Sequence, residues 1–301
     1  MRTVIITGAN AGLGFQCARA LLATDPSWHV VMAVRDRARG EAAVAQLGQP
    51  RRCTVIRADL ASLHSVGAFV EGFKAAELPP LHAIVCNAGI QVVSGTQLTA
   101  DGFEMTFGVN HLGHFALVQG LLDELVASAR IVVVASGVHD PSKHTGMPAP
   151  RYTTAAELAI PPSDDDQSVD GRRRYADSKL CNILFVYELD RRLDHGAQGI
   201  TVNAFDPGMM PGSGLARDYS PLQRFVWRFV LPALRVLPGV RSTRASGRHL
   251  AALVTAPRFE GITGRYLTAL KEIRSSQDSY DQAKAADLWQ TSEQLVSSAV
   301  S

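Results

Sequence analysis

Thr7-Gly8-Ala9-Asn10-Ala11-Gly12-Leu13-Gly14 follows the apolar run Thr3 to Thr7 and opens a helical stretch from Phe15 to Ala23. The three glycines have separate uses at a strand-to-helix turn. Gly8 permits the tight turn, Gly12 lets backbone approach a pyrophosphate and Gly14 allows close packing, with phosphate charge at the helix N-terminus. A glycine triplet alone also fits an ordinary turn. Here the strand before it, the helix after it and a second strand beyond supply the context that a dinucleotide site needs.

Outward from this turn, apolar runs bounded by turn residues recur: Thr3 to Thr7, His29 to Val34, Thr54 to Ala58, Ala83 to Cys86, Ile131 to Ser136 and Thr201 to Phe205. The intervals are long enough for crossover helices. Uninterrupted apolar runs suit parallel strands covered on both faces. The pattern therefore predicts an α/β fold, a Rossmann-type doubly wound parallel sheet with helices on both faces, in one domain over residues 1–301. Two stretches break the rhythm. His139 to Arg174 (139–174), rich in Pro, Asp, Ser and Arg, reads as a long loop with a short helix near Thr154 to Leu158. Residues 209–240 read as a substrate-side insertion, with an apolar helix from Leu222 to Leu237 that carries Arg224, Arg228 and Arg235.

Composition narrows the partners. The chain has 301 residues, 46% of them hydrophobic, which is ample for a buried core. With 30 basic against 28 acidic residues, no charge excess points to nucleic acid, and a small-molecule substrate is the default. Cys17, Cys53, Cys86 and Cys181 lack metal-ligand spacing, so no metal is expected. No secretory segment or membrane span is legible at the start, and a reducing cytoplasm fits.

The end of the second strand should choose the cofactor. An acid there binds a ribose diol, whereas arginine pairs with a 2′-phosphate. The sequence Val34-Arg35-Asp36-Arg37 puts Arg35 first with Arg37 behind it, favouring NADPH. Asp36, about 20 residues beyond the glycines, keeps NADH as the competing reading.

Tyr175-Ala-Asp-Ser-Lys179 stands at the start of a helical segment running to about Leu193. A separation of four places phenol and ammonium on one helical face. A neighbouring ammonium stabilises a phenolate and draws tyrosine toward useful acid/base chemistry at neutral pH. Such a pair is also common on exposed helices, so companions matter. Ser136 closes the fifth strand, at the edge where open α/β sheets place ligands, and its hydroxyl could orient a carbonyl. Asn110 opens the apolar helix Asn110 to Phe115, either as a cap or as an amide holding a water in a proton relay. His111 and His114 read as packing or hydrogen-bonding groups, because no third ligand is spaced to complete a metal site.

Thr7-Gly-x-x-x-Gly-x-Gly14, Cys86-Asn-Ala-Gly89, Asn110, Ser136, Tyr175-x-x-x-Lys179 and Pro207-Gly208, in this order, resemble the short-chain dehydrogenase/reductase family over nearly the whole chain. The resemblance implies that Tyr175 is the general acid/base and that Lys179 lowers its pKa and binds the nicotinamide ribose. It implies that Ser136 polarises the substrate oxygen and that Asn110 supports the relay. The cofactor contacts it implies are Gly8, Asn10, Ala11, Gly12, Leu13, Gly14, Arg35, Arg37, Asp59, Leu60, Asn87, Ala88, Gly89, Tyr175, Lys179, Pro207 and Gly208.

Within that family, Trp28 to Asp36, Tyr175 to Asn182 and Ala286 to Val296 are similar to the light-dependent protochlorophyllide reductases, with retinol-dehydrogenase-like enzymes as a neighbouring branch. Both branches favour NADPH. After Pro207-Gly208 the photoenzymes carry a cysteine linked to their chemistry, where this chain has Met209, whose thioether has no proton to give. Cys181 matches a second cysteine of that branch and equally suits a small buried helix residue. Phe225, Trp227, Phe229, Leu231 and Leu234 are candidates for a hydrophobic substrate pocket, and the interleaved arginines keep a peripheral membrane contact open. The expected activity is NADPH-dependent reduction of a carbonyl on a bulky hydrophobic substrate, such as a retinoid, steroid or polycyclic ketone. The alternatives are light-dependent C=C reduction of protochlorophyllide type and an NADPH-binding redox sensor or scaffold. A homo-oligomer stays open.

Overall fold

The computed structural model describes residues 1–93, 95–161, 171–193, 198–210 and 240–300. Its eight strands are β1 (Arg2–Thr7), β2 (Trp28–Val34), β3 (Cys53–Arg57), β4 (Leu81–Cys86), β5 (Leu125–Val134), β6 (Thr201–Asp206), β7 (Arg265–Thr268) and β8 (Lys271–Glu272). They form one sheet in the order β3-β2-β1-β4-β5-β6-β7-β8, parallel except for the terminal pair β7–β8. The order reverses between β1 and β4, which opens a crevice at their carboxyl ends.

Both faces of the inner strands β1, β2, β4 and β6 are buried, which explains their uninterrupted apolar runs. Val4, Ile6, Met32, Val85, Val132 and Phe205 face α1 (Gly12–Thr24) and the helix Thr243–Thr255; Ile5, Val31, Ile84, Val133 and Ala204 face the opposite layer. That layer contains α3 (Leu63–Ala75), α5 (Gly113–Leu121) and α7 (Gly171–Arg192), whereas α2 (Arg37–Leu47) packs on the first face beside β2 and β3. The remaining α-helices among the described residues are α4 (Met105–Phe107), α6 (Ala155–Ala159), α8 (Thr243–Thr255) and α9 (Gln282–Val300). Helix α9 packs along α7, where Trp289 stacks on Phe185 with ring centroids 6.0 Å apart and the Arg192 guanidinium lies 4.5 Å from the centre of the Trp289 ring.

The expected six strands and the short helix near Thr154 are present within a few residues. Asn110 does not open a helix. The helix begins at Met105, with Glu104 accepting from the Phe107 N–H at 2.7 Å, and Asn110 lies inside a π turn, Gly108–Leu112, that leads into α5. Helix α7 is already formed at Gly171, so Tyr175 sits one turn inside it rather than at its start. Strands β7 and β8 were not expected; they are short and polar-flanked. The 139–174 loop is anchored where described: the Arg151 N–H donates to Asp177 at 2.6 Å, while Tyr152 Oη (2.6 Å) and the Ala155 N–H (2.9 Å) donate to Asp287 of α9. The expected helix Leu222 to Leu237, with its apolar and arginine side chains, lies outside the described residues.

Candidate active site

Gly8 and Gly12 have φ of +65° and +59°, the left-handed region that favours glycine. A Cβ on Gly14 would lie 2.6 Å from Asn87 Nδ2 and 2.9 Å from the Gly8 carbonyl, so close packing between the turn and the end of β4 excludes a side chain. Space beside Gly12 is open, with no atom within 4 Å of a Cβ built there. The side chains of Asp36, Ser62 and Ser242 close the N-termini of α2, α3 and α8, whereas Ala11 gives α1 no side-chain cap. The first N–H groups of α1 are therefore left without a side-chain acceptor, as a helix start that receives an anion requires.

Thr7 ties this turn to β4. Its Oγ1 accepts from the Asn87 N–H (2.8 Å) and the Ala88 N–H (2.9 Å), and Asn87 Nδ2 donates back to the Thr7 carbonyl at 2.8 Å. His114 lies beneath: its Nδ1 is 3.1 Å from the Asn110 carbonyl, which can only accept, so Nε2 accepts from Thr7 Oγ1 at 2.9 Å. Burial pushes the His114 pKa down to about 4 and that of His111 to about 3, keeping both rings neutral. His111 meets Ser292 at 2.8 Å and packs among Phe107, Phe115 and Phe185. Among the described residues no cluster of His, Cys, Asp and Glu is arranged to hold a metal.

At the end of β2, Arg35 is exposed and makes no ion pair among the described residues, while Asp36 accepts from the Arg39 N–H at 3.1 Å and meets the Arg39 guanidinium. Arg37 is committed to Glu41 at 2.8 Å on the solvent face of α2. Asp59 and Leu60 lie beyond β3. Asp59 accepts from the Ala61 N–H at 3.1 Å, and Leu60 packs so tightly on Gly113 that a Cβ there would come within 2.6 Å of its carbonyl oxygen.

Tyr175 and Lys179 are both buried, 6% and 3% exposed, with the ammonium 5.5 Å from the centre of the tyrosine ring. Lys179 Nζ donates to the Val134 carbonyl at 3.1 Å, as does Asn182 Nδ2 at 3.1 Å, so the end of β5 is bound to α7 twice. Desolvation lowers the Lys179 pKa from 10.5 to about 8. Asn110 Oδ1 accepts from the Ile90 N–H at 2.8 Å, and its Nδ2 donates to the Ile90 carbonyl and to Ser178 Oγ, each at 2.9 Å. A Cβ on Gly89 would lie 3.3 Å from Asn110 Oδ1 and 3.7 Å from Lys179 Nζ, so Asn87–Gly89, Asn110 and Lys179 converge on one point. Ser136, half-buried, follows β5 by two residues and heads the turn Gly137–His139. Pro207 and Gly208 follow β6, with Asp206 accepting from the Gly208 N–H at 2.9 Å.

A helix-bearing glycine turn at β1, an asparagine clamp after β4, serine after β5 and a buried Tyr-x-x-x-Lys pair at the same sheet edge are thus gathered at one crevice. The model of the short chain dehydrogenase family matches residues 2–152, and protochlorophyllide reductase from Avena sativa is 38% identical over 97% of this chain and 99% of its own length. The chain belongs to the short-chain dehydrogenase/reductase family. An uncharacterized protein from Mycobacterium Paratuberculosis superposes with a TM-score of 0.70 at 30% identity, covering 99% of this chain and 94% of that one. A blue fluorescent protein from a metagenomic library, solved in complex with NADPH, shares the fold at a TM-score of 0.65 and 23% identity, covering 89% and 95%. This short-chain dehydrogenase/reductase is an oxidoreductase close to the protochlorophyllide reductase branch. Among its described residues no helix is long and apolar enough to cross a membrane.

Four contributors to the site were not singled out from sequence. Ser178 and Asn182 lie three residues after Tyr175 and Lys179 respectively, so extending the helical stripe would have found them. His139 and Tyr266 have no such signal, because Ser276 and Asp206, which complete their bonding, lie 137 and 60 residues away.

Proposed function

We propose that this oxidoreductase uses NADPH to reduce the carbonyl group of a bulky hydrophobic substrate, with Tyr175 as the proton donor. The observation that supports this most is the buried Tyr175–Lys179 pair at the carboxyl end of β5, with Ser136 just beyond the same strand. The residues present fit the cofactor: α1 lacks a side-chain cap, Gly12 adjoins open space, and Arg35 is exposed while Asp36 is engaged with Arg39. When bound, NADPH supplies the hydride.

Tyr175 passes its phenolic proton to the substrate oxygen as that oxygen gains charge. The Lys179 ammonium beside the ring favours the phenolate left behind. Ser136 directs its hydroxyl to the same oxygen and fixes the orientation of the carbonyl. Asn110, through Ile90 and Ser178, holds the end of β4 against α7 so that this geometry persists. Arg35 would hold the 2′-phosphate of NADPH, and the α1 N-terminus its pyrophosphate.

C=C reduction in a tetrapyrrole is a second reading, favoured by the full-length similarity to a protochlorophyllide reductase. Two features weigh against it. Met209, 44% exposed, replaces the cysteine expected after Pro207-Gly208, and Cys181 is fully buried with its thiol pKa pushed up by burial. The deciding experiment follows NADPH oxidation with retinoids, steroids, polycyclic aromatic ketones and protochlorophyllide, in light and in darkness. Turnover of a ketone in darkness supports the first reading; turnover of protochlorophyllide under illumination alone replaces it with the second. NADPH binding without turnover of any of these would instead indicate a sensor or scaffold.

A further inference from the structure

We infer that His139 is a positioning residue that sets the placement of Ser136 by bracing its main chain against the backbone of Ser276. The inference rests on the reading of Ser136 as the group that orients the substrate oxygen. His139 is fully buried, and its Nδ1 lies 2.6 Å from the Ser136 carbonyl oxygen. A carbonyl accepts only, so Nδ1 carries the hydrogen and Nε2 is the acceptor. Nε2 receives the Ser276 N–H at 3.0 Å, so both ring nitrogens are used and one neutral tautomer is specified. Ser276 lies just beyond β8, 137 residues from His139, so the brace crosses from the fifth strand to the far edge of the sheet.

The surroundings extend the brace. The imidazole meets the Tyr266 ring edge-on with centroids 4.9 Å apart. Tyr266 Oη donates to Asp206 Oδ2 at 3.0 Å, while Asp206 Oδ1 accepts from Gly208. The Ser136 and Pro207–Gly208 rims are thereby supported from the same place. Ser136 needs such support, because the Val138 N–H reaches its Oγ at only 3.5 Å and its own turn holds the hydroxyl weakly.

The test measures NADPH oxidation with 9,10-phenanthrenequinone as the carbonyl probe, in wild type, His139→Asn, His139→Gln and Ser136→Ala. Asparagine keeps an amide N–H near the place of Nδ1; glutamine loses that short donor while retaining an acceptor toward Ser276. His139→Gln is expected to lower kcat by roughly 10–100-fold with KM within about threefold, and His139→Asn to recover most of that loss. On a Ser136→Ala background, His139→Gln should add almost nothing. Equal loss in both His139 variants, or an undiminished loss without Ser136 Oγ, would overturn the inference. A Ser136→Ala enzyme at wild-type kcat would instead remove the underlying reading of the serine. Independently of turnover, 15N NMR of the histidine rings in the full chain should give His139 as the neutral Nδ1–H tautomer, assigned by its loss in His139→Asn. An Nε2–H tautomer or an imidazolium at neutral pH would also overturn the inference.

Discussion

From β1 to β4 the crevice is built largely of main chain: two glycines at positive φ, an uncapped helix start, and backbone N–H groups gathered on Thr7. From β5 to β8 it is built of side chains that reach across the sheet: Lys179 and Asn182 on Val134, His139 between Ser136 and Ser276, and Tyr266 on Asp206. The first construction offers donors that suit a phosphate group of almost any attached molecule. The second fixes individual atoms, as a proton transfer requires. Binding and chemistry should therefore respond separately to mutation.

The strongest way to break this division is Tyr175→Phe. It should lower kcat by about 10²–10⁴-fold while NADPH affinity, followed by fluorescence titration, stays within about threefold. A matching loss of affinity would mean that the two halves are not separable.

Arg35→Ala probes the opposite half. NADPH should bind roughly 10–100-fold more weakly with NADH affinity unchanged, as expected for loss of a charge-assisted contact, and kcat at saturating NADPH should be retained. Arg37→Ala should do less, because that guanidinium is already paired with Glu41.

Gly14→Ala should destabilise the protein by about 1–3 kcal/mol in urea titration, since the added methyl meets Asn87 and the Gly8 carbonyl rather than space. Cofactor affinity should fall with it, because Asn87 cannot shift without disturbing Thr7.

Lys179→Met removes a buried charge, and its smallest but most diagnostic effect should be on stability. It should abolish turnover yet raise stability at pH 7 by on the order of 1–2 kcal/mol. The folded-state pKa of about 8 lies below lysine's ordinary value of 10.5, so the unfolded chain binds more protons between those values. The lysine's penalty is complete below about pH 8 and is relieved as pH rises toward 10.5, so the methionine advantage should shrink over that window. A gain that stays constant with pH would show that the charge is not its cause.

The same division explains what was legible in the sequence. Glycine spacing and uninterrupted apolar runs report directly on main chain and on a sheet buried from both sides, so the first half and the six principal strands could be read. Tyr175 and Lys179 were legible because their relation is local, four residues on one helix. His139 and Ser276 were not, because nothing periodic joins positions so far apart. Strand β7 escaped because four residues between Arg265 and Thr268 make too short an apolar run, although Tyr266 and Leu267 are buried. At Asn110 the residue type suggested a cap, but Glu104 already caps the helix several residues earlier.

The π turn at Gly108–Leu112 has a consequence for how this site tolerates change. Its closing bond runs from the Gly113 N–H to the Gly108 carbonyl, five residues back, so the turn holds one residue more than an α ladder would. Removing one residue there would let the segment close as an ordinary α turn and take away the extra residue by which the π turn places Asn110. The Asn110 amide could then no longer face Ile90 and Ser178 while Gly113 remained packed on Leu60. What places Asn110 is thus partly a count rather than an identity. Deletions in this segment should be poorly tolerated even where the letters themselves can vary.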